Sequence, residues 1–440
     1  MRRTDSATGA LYGRSDAVTA LLDRCRHDGL VVPDYEGYCF ANVPGTVGDV
    51  LDADVGRSLP ADTLSGVETD VSHVVVAVLD SLGWHRFHRD ASDHRFLRRI
   101  RDRGTVTPLT SVASASTAPA ITSVHTGVPP AEHGVLGCDV RLSRENTVVR
   151  PFSHEVRADV VDSDDTSASA EPPVGADEVV AAEPVYPAFE AAGVETTVVQ
   201  PAGTLGTAYA DATVRGATQV PCEGLADGAT RLRETVEEAG DRSYTYWYAS
   251  ELDSATHDYG PDSGAYHDAL GTLTGRLSRA LYDELDPDVA AETLLVVTAD
   301  HGTIPLGDGP DSWLRVLDVD GVESRLRRRN RDRVPPAGDP RLCHLAVESG
   351  SQDDVVAAFE DCGVSALTRQ EVFETGLFGP PGDSRDAVES RCGDVVVTDP
   401  DRALVYPEME KVASFAGIHG GLTAPEQLVP FAAARLSRLQ

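Results

Sequence analysis

Short apolar runs recur along the chain, and their length and spacing predict a sheet. The run HVVVAVLD at residues 73–80 is too short for a buried helix and is rich in valine, so it predicts a parallel strand covered on both faces. Residues 196–201, 244–249 and 293–300 repeat this pattern, and helical segments such as 228–240 separate them. This alternation predicts an α/β fold with a doubly wound, mostly parallel sheet flanked by helices.

Changes in the pattern divide the chain into parts. Residues 1–70 mix a short helical pattern with loops, and we expect an N-terminal extension packed on the core. We expect the core itself in two parts, 71–307 and 396–440, with 308–395 inserted between them. The insertion carries β and α patterns of its own, which predicts a small α+β cap. Residues 162–178 are acidic, small and proline-bearing, which is typical of a loop.

The charge of the chain is strongly one-sided. Its 440 residues include 71 acidic and 38 basic side chains, for a formal charge of −33, and Lys411 is the one lysine. Such a surface repels polyanions at low salt, so we expect neither nucleic-acid nor membrane binding. Lysine depletion with acidic excess is typical of halophilic proteins, because a Debye length of roughly 3 Å in molar salt screens the self-repulsion. The charge therefore indicates adaptation to the solvent.

Cysteine usage and hydropathy bear on the compartment. The seven cysteines are scattered, odd in number and without a CxxC pair, which favours reduced thiols in a cytosol over a disulfide framework. The N-terminal residues lack the apolar core of a signal peptide, and nowhere do eighteen apolar residues run together. We therefore expect a cytoplasmic protein. The sequence carries no signal of its oligomeric state.

Six of the nine residues from 325 to 333 are arginines, conspicuous in so acidic a chain. This segment could steer an anionic substrate toward a site. The favoured interpretation is a solvated helix face whose arginines form salt bridges with the abundant carboxylates. Aromatic residues are not interleaved with the arginines, which argues against single-stranded nucleic acid as the ligand.

Acidic and histidine side chains stand at or near the ends of several apolar runs. Ligands of doubly wound sheets bind beyond the carboxyl ends of the strands, which makes these positions candidates for a site. Asp80 alone is better explained as a helix cap. Asp253 and His257, four residues apart, would share one face of a helix, as a metal pair requires, although a solvated helix start explains them as well. The full set is Asp80, Asp253, His257, Asp300, His301 and His419.

This set of side chains suits a pair of divalent cations. Oxygen and nitrogen ligands of this kind can hold two zinc-type ions, each with an open position. Two such ions about 4 Å apart can clamp the attacking and leaving oxygens of a displacement at phosphorus. The hydroxyl-rich stretch at residues 114–127 can supply the nucleophile. A hydroxyl at the start of a helix, facing a cation, loses its proton more readily.

Five motifs in this order resemble the type I phosphodiesterase and nucleotide pyrophosphatase family of the alkaline phosphatase superfamily. They are VLDSLG, STAPAITSVHTGVPPAEHGVLG, ELDSATHDYG, VTADHG and GIHGG, between about Val74 and Phe431. The resemblance implies an alkaline-phosphatase-like fold. It also implies Thr117 as the nucleophile, because this residue lies ten positions before Gly127, the spacing that the family's threonine has.

The resemblance further implies the metal ligands. Two zinc ions are expected, with manganese as the alternative that relatives use. The first ion would be held by Asp80, Thr117, Asp300 and His301, and the second by Asp253, His257 and His419.

The implied activity is two-step hydrolysis of a small phosphoester through a phosphothreonine intermediate. A phosphodiesterase or nucleotide pyrophosphatase is favoured, since no lysine lies near the motifs to neutralise a monoester dianion. A phosphomonoesterase or metal-dependent phosphomutase is the alternative within the superfamily, and a non-catalytic binding protein that retains its metals is the alternative outside enzymes. Family members typically have an asparagine where this chain has Ala120, which leaves a nucleotide substrate open.

Overall fold

A computed structural model describes residues 16–142, 147–152, 155–156, 174–307, 309–329, 332–381 and 386–440. Most of the predicted loop at 162–178 lies outside these residues. Its end is helical over Ala176–Val179, where the sequence predicted a loop.

Eleven strands of the described residues form the two larger sheets and are numbered β1 to β11 in chain order. They are β1 (His73–Leu79), β2 (Thr105–Thr110), β3 (Glu195–Pro201), β4 (Thr218–Cys222), β5 (Ser243–Ala249), β6 (Thr293–Thr298), β7 (Ala337–Asp339), β8 (Leu342–Leu345), β9 (Ser365–Thr368), β10 (Val395–Thr398) and β11 (Leu428–Arg435).

The central sheet has seven strands in the order β2-β11-β6-β1-β5-β3-β4. Only β11 is antiparallel to its neighbours, and β1 runs parallel between β6 and β5, so the predicted mostly parallel sheet is confirmed. Residues 74–79 of β1 are fully buried, because helices cover both faces of the sheet. Burial on both faces explains why the apolar run of β1 is continuous rather than alternating.

The described helices flank the central sheet or belong to the insertion, and none of them is long and apolar enough to cross a membrane. They are α1 (Asp16–Cys25), α2 (Val43–Val50), α3 (Trp84–Asp90), α4 (Arg95–Arg103), α5 (Thr117–Thr126), α6 (Pro130–His133), α7 (Ala176–Val179), α8 (Tyr186–Ala191), α9 (Ala208–Thr213), α10 (Gly224–Glu237), α11 (Glu251–Tyr259), α12 (Gly264–Leu277), α13 (Pro287–Ala291), α14 (Val322–Arg325), α15 (Gln352–Asp361), α16 (Arg369–Thr375), α17 (Asp386–Arg391) and α18 (Ala424–Gln427).

The insertion has its own four-stranded antiparallel sheet, in the order β7-β8-β10-β9. A separate apolar cluster that includes Leu345, Phe359 and Val397 packs α15 against this sheet. The boundary predicted at residue 395 falls at the first residue of β10, so the insertion's sheet continues past it. A short parallel pair, Trp313–Arg315 with Ala403–Val405, lies beside the same cluster. The division into parts stays a prediction.

The arginine-rich segment 325–333 differs from its predicted helical form. Among its described residues, which exclude 330 and 331, only Arg325 belongs to a helix, α14, and Arg328–Arg329 pairs with Asp332–Arg333 as an antiparallel ladder. The expected salt bridges are present at several of these residues, with Arg325 3.2 Å from Asp354 and Arg333 2.7 Å from Glu323. Helical spacing is not needed for such pairing, which is why charge alone was a poor guide to the secondary structure.

A fully buried ion pair joins the insertion to the core. Arg341 donates from Nε and Nη2 to Glu426 of α18 over 2.9 and 3.0 Å, and both side chains have no exposed surface. Replacing Arg341 by methionine is expected to lower the free energy of unfolding by about 3–5 kcal/mol, because Glu426 would stay buried as an unpaired charge. Urea unfolding measures this loss.

The matched control is the exposed pair of Arg95 and Asp283, whose atoms lie 2.7 Å apart. Arg95→Met is expected to cost less than about 1 kcal/mol, since solvent screens that pair. Equal losses in the free energy of unfolding for Arg341→Met and Arg95→Met would contradict the expectation that burial makes the first pair more costly to break.

Candidate active site

The carboxyl ends of β1, β5 and β6 bring the predicted site residues to one edge of the central sheet. The three strands are adjacent and parallel, so Asp80 after β1, helix α11 after β5 and Asp300 after β6 come together. The Asp80 amide donates to Ala249 O over 3.0 Å, which fixes the end of β1 against β5. His301 follows directly, and two loops from elsewhere in the chain add Thr117 and His419. All seven side chains predicted from the sequence therefore meet.

The first group of side chains surrounds His301 Nε2. This nitrogen lies 3.3 Å from Asp80 Oδ1, 3.5 Å from Asp300 Oδ2 and 3.2 Å from Thr117 Oγ1. His301 Nδ1 is 3.1 Å from Gly302 O, and a carbonyl can only accept a hydrogen bond. In the neutral ring the proton therefore sits on Nδ1, and Nε2 turns its lone pair toward the carboxylates.

The second group lies on α11 and on the loop before α18. Asp253 and His257 share one face of α11, with Asp253 Oδ2 3.4 Å from His257 Nε2, and Asp253 Oδ1 is 3.6 Å from His419 Nε2. The Nδ1 atoms of His257 and His419 face the carbonyls of Gly417 and Ala115 at 2.9 and 3.3 Å. In neutral rings both Nε2 lone pairs then face each other across 3.1 Å. A cation between them would relieve that repulsion.

The electrostatics of the site point to divalent cations. Burial raises the pKa of Asp80 well above its usual value, and the neighbouring Asp300 adds to this shift. Burial likewise raises the pKa of Asp253, whereas burial lowers the pKa of His419 well below its usual value. Each of the three aspartates of the site has one buried carboxylate oxygen without a hydrogen-bond partner: Asp80 Oδ1, Asp253 Oδ1 and Asp300 Oδ2.

These donors fit two metal ions. Ligand atoms of Asp253, His257 and His419 lie within 4.8 Å of one another, as do those of Asp80, Asp253 and His301. Asp253 thus reaches both groups, whereas the sequence assigned it to one. Carboxylate oxygens and imidazole nitrogens without protons are the ligands that zinc and manganese accept.

Thr117 is the first residue of α5 and is half-buried, so its hydroxyl remains accessible. The helix N-terminus points unpaired amides and a partial positive charge at this oxygen. Ala120, three residues further along α5, is fully buried in the apolar core.

Two residues that shape the first group were not predicted. Tyr248 of β5 donates its hydroxyl to Asp80 Oδ2, which orients that carboxylate. Ser81 adopts a left-handed backbone with φ of 69°, and its amide donates to Asp300 Oδ1 over 3.2 Å. A strained residue of this kind is typical of functional sites. The alternation of tyrosines in YTYWYA was the available signal for Tyr248, while nothing in the sequence indicated the conformation of Ser81.

A cavity of about 320 Å³ adjoins the site. Its walls are mostly apolar and aromatic, and Tyr248 is shared between the cavity and the hydrogen bond to Asp80. Phe152 stands at its rim, 41% exposed, with its ring edge against Tyr209. Ile121 of α5 lies one turn beyond Thr117 and also faces this space. The cavity can take an apolar or aromatic group attached to a phosphate bound beside Thr117.

Comparisons with known proteins agree with this geometry. Residues 74–422 match the model of the family described as type I phosphodiesterase / nucleotide pyrophosphatase. Curated proteins give no match to the chain.

Solved structures show the same fold. Murine ectonucleotide pyrophosphatase/phosphodiesterase 5 has a TM-score of 0.60 at 15% identity, over 82% of this chain and 87% of its own. Its inactive threonine-to-alanine variant in complex with AMP has a TM-score of 0.59 at the same identity and coverage. Phosphonoacetate hydrolase from Sinorhizobium meliloti 1021, in complex with phosphonoformate, has a TM-score of 0.57 at 19% identity, over 84% of this chain and 95% of its own.

The family match spans most of the chain, and it includes the carboxyl ends of β1, β5 and β6 where the buried carboxylates and histidines gather. A phosphoester hydrolase of the phosphodiesterase and pyrophosphatase type accounts for both observations. The chain therefore belongs to the type I phosphodiesterase / nucleotide pyrophosphatase family, within the alkaline phosphatase superfamily.

Proposed function

We propose that this chain hydrolyses phosphodiesters in two steps, with Thr117 as the nucleophile and with two divalent metal ions, zinc or manganese, at the two groups described above. One observation carries the proposal: the Thr117 hydroxyl stands at the N-terminus of α5, 3.2 Å from His301 Nε2, beside carboxylate oxygens without partners. Accessible hydroxyls are common on protein surfaces, but few face such a set of ligands.

The chain's own residues would perform each step as follows. Bound at the two groups, the metal ions supply positive charge that lowers the pKa of the Thr117 hydroxyl and neutralises phosphoryl oxygens. Thr117 Oγ1, beside His301 Nε2 at the positive end of α5, gives its proton to solvent and attacks phosphorus. The bond to the leaving alkoxide breaks, and the alkoxide takes up a proton from solvent. A phosphothreonine forms. Water then attacks the same phosphorus from the opposite side, the bond to Thr117 breaks, and Oγ1 takes back a proton.

The surroundings of Thr117 favour a diester over a monoester. The cavity lined by Tyr209, Tyr246 and Tyr248 offers apolar and aromatic surface for the second ester group. Lys411, the one lysine, lies outside the motifs, so the second charge of a monoester would have no lysine beside it. The murine neighbour is known in complex with AMP, which supports a nucleotide among the substrates of this chain.

The compartment and solvent are part of the same proposal. All seven cysteines are free thiols, which supports a reducing cytoplasm. The formal charge of −33 supports activity in concentrated salt, where self-repulsion between carboxylates is screened.

Substrate choice tests this function directly. In molar salt with zinc or manganese, bis-p-nitrophenyl phosphate is expected to be hydrolysed at least about tenfold faster, by kcat/KM, than p-nitrophenyl phosphate, because only the diester has a second ester group, besides the leaving one, to place in the aromatic cavity. Release of p-nitrophenolate measures both rates. A preference for the monoester would favour a phosphatase or a phosphomutase, and metal binding without turnover of either compound would favour a non-catalytic binding protein.

A further inference from the structure

The turn between β7 and β8 brings a carboxylate of the insertion under the nucleophile loop, residues 113–116. Asp339, the last residue of β7, is 3% exposed. Its Oδ2 accepts hydrogen bonds from the hydroxyls of Ser114 and Ser116, the latter over 3.0 Å, and its Oδ1 accepts from the amide of Cys138 over 3.3 Å. One buried carboxylate therefore holds two hydroxyls of the nucleophile loop and the amide of Cys138, which follows α6.

Ser116 directly precedes Thr117, and its hydroxyl is used in an unusual way. It occupies the N-cap position of α5, where a serine normally bonds to an amide of the first helical turn, yet its side chain makes no such bond. The hydroxyl instead turns to Asp339. The side chain of Ser116 is thus tied to the insertion, while its carbonyl accepts from the amide of Ala120 in α5 over 3.2 Å.

The same turn also reaches the second group. A Cβ on Gly420, the residue after His419, would lie 3.0 Å from Asp339 Cβ, so the two loops are in contact. Arg341, two residues further along, binds Glu426, whose Oε1 accepts from the amide of Gly421 over 2.8 Å. The turn from Asp339 to Arg341 therefore contacts the loop that carries Thr117 and the loop that carries His419.

We propose that Asp339 is a positioning residue: it holds Thr117, through the hydroxyls of Ser114 and Ser116, at the geometry needed for attack on phosphorus. The kinetic part of this inference rests on the proposed function, whereas the structural part does not. Under this inference, the insertion supports the nucleophile. A misplacement of the attacking oxygen of about 1 Å costs about 100-fold in rate.

Asp339→Ala and a matched control, Asp394→Ala, distinguish positioning from general stability. Asp394 is also a buried carboxylate of the insertion, 8% exposed. It accepts hydrogen bonds from Arg327 and Arg369 over 2.6 and 2.9 Å, and neither partner belongs to the nucleophile loop. Asp339→Ala is expected to lower kcat for bis-p-nitrophenyl phosphate about 10- to 100-fold with KM within twofold. Asp394→Ala is expected to lower the melting temperature while kcat of the folded protein stays within about twofold.

Two further variants trace the path of the effect. Asp339→Asn keeps a side-chain oxygen for the serine hydroxyls and is expected to recover part of kcat. The second variant combines Asp339→Ala with Ser116→Ala. Its kcat is expected to be no lower than that of Asp339→Ala alone, because both substitutions remove the same contact. Additive losses would show that Asp339 acts by another route and would overturn the inference.

Hydrogen exchange supplies a readout that is independent of catalysis. Amides of residues 113–120 are expected to exchange faster in Asp339→Ala than in wild type, and unchanged in Asp394→Ala. If exchange is faster in Asp339→Ala but the wild-type protein hydrolyses no phosphodiester, the proposed function is refuted and the structural role of Asp339 is still supported. Unchanged exchange at 113–120, or an equal loss of kcat in both variants, would overturn the positioning role. Should Asp339→Ala fail to fold, Asp339→Asn carries the same comparison.

Discussion

Thr117→Ala is expected to reduce kcat for bis-p-nitrophenyl phosphate by roughly 10⁶-fold, the order of loss seen when a serine hydrolase loses its nucleophile. The carboxylates and histidines would still bind metal and substrate in this variant, but the attacking oxygen would be gone. Because Thr117 is half-buried and caps no other group, the fold should be preserved, with the melting temperature within a few degrees of wild type. Initial rates with matched metal content measure the effect.

Thr117→Ser is the matched control, since serine keeps a hydroxyl at the same position. We expect it to retain hydrolysis well above the alanine variant. Acid quenching of wild type during turnover of a ³²P-labelled diester should leave label on the protein, and Thr117→Ala should carry none. Full activity of Thr117→Ala, or label on both proteins, would rule out Thr117 as the nucleophile.

Removing divalent metal is expected to abolish hydrolysis and to lower the melting temperature by at least about 5 °C. Without metal, Asp80, Asp253 and Asp300 stay buried with unpartnered oxygens, and a ligand that binds only the folded state at 100 times its Kd adds about 2.7 kcal/mol. Dialysis against a chelator, then scanning calorimetry before and after return of zinc or manganese, measures both effects.

Metal binding should also release protons. The raised pKa values of Asp80 and Asp253 mean that protons compete with the metal at these carboxylates, so affinity should fall on acidification. Titration calorimetry in buffers of different ionisation enthalpy reports the number of protons released. Asp253→Asn, which touches both groups, is expected to lose the thermal stabilisation by metal. Unchanged stability and activity after chelation would remove the basis for a metal site.

The central sheet was predictable because its parallel strands are buried on both faces, and burial leaves a continuous apolar run in the sequence. The site was predictable for a related reason, because Asp80 and Asp300 stand directly after such runs. Thr117 and His419 were identified from the motifs and from the order of those motifs along the chain. The family and fold predicted from these motifs are confirmed by the comparison and the sheet. The roles of the individual residues remain predictions.

Other features depend on contacts between distant parts of the chain, and the sequence pattern does not record these. Asp339 lies in the insertion and meets Ser116 only through the folded structure. Residues Arg328–Arg329 form a β-ladder where the row of arginines was interpreted as a helix face. A run of consecutive charges has neither the helical nor the strand periodicity, so it does not indicate which of the two forms. Asp253 reached both groups of ligands, since a carboxylate with two oxygens can face two neighbours.

The place of β11 in the central sheet has a consequence for the synthesis of the protein. This strand lies between β2 and β6, and β2 pairs within that sheet with no other strand of the described chain. The nucleophile loop leaves the end of β2, yet the strand that fastens β2 to the sheet is translated long after it. We therefore expect the site to assemble only once β11 has left the ribosome, and a nascent chain that ends before β11 to lack hydrolytic activity.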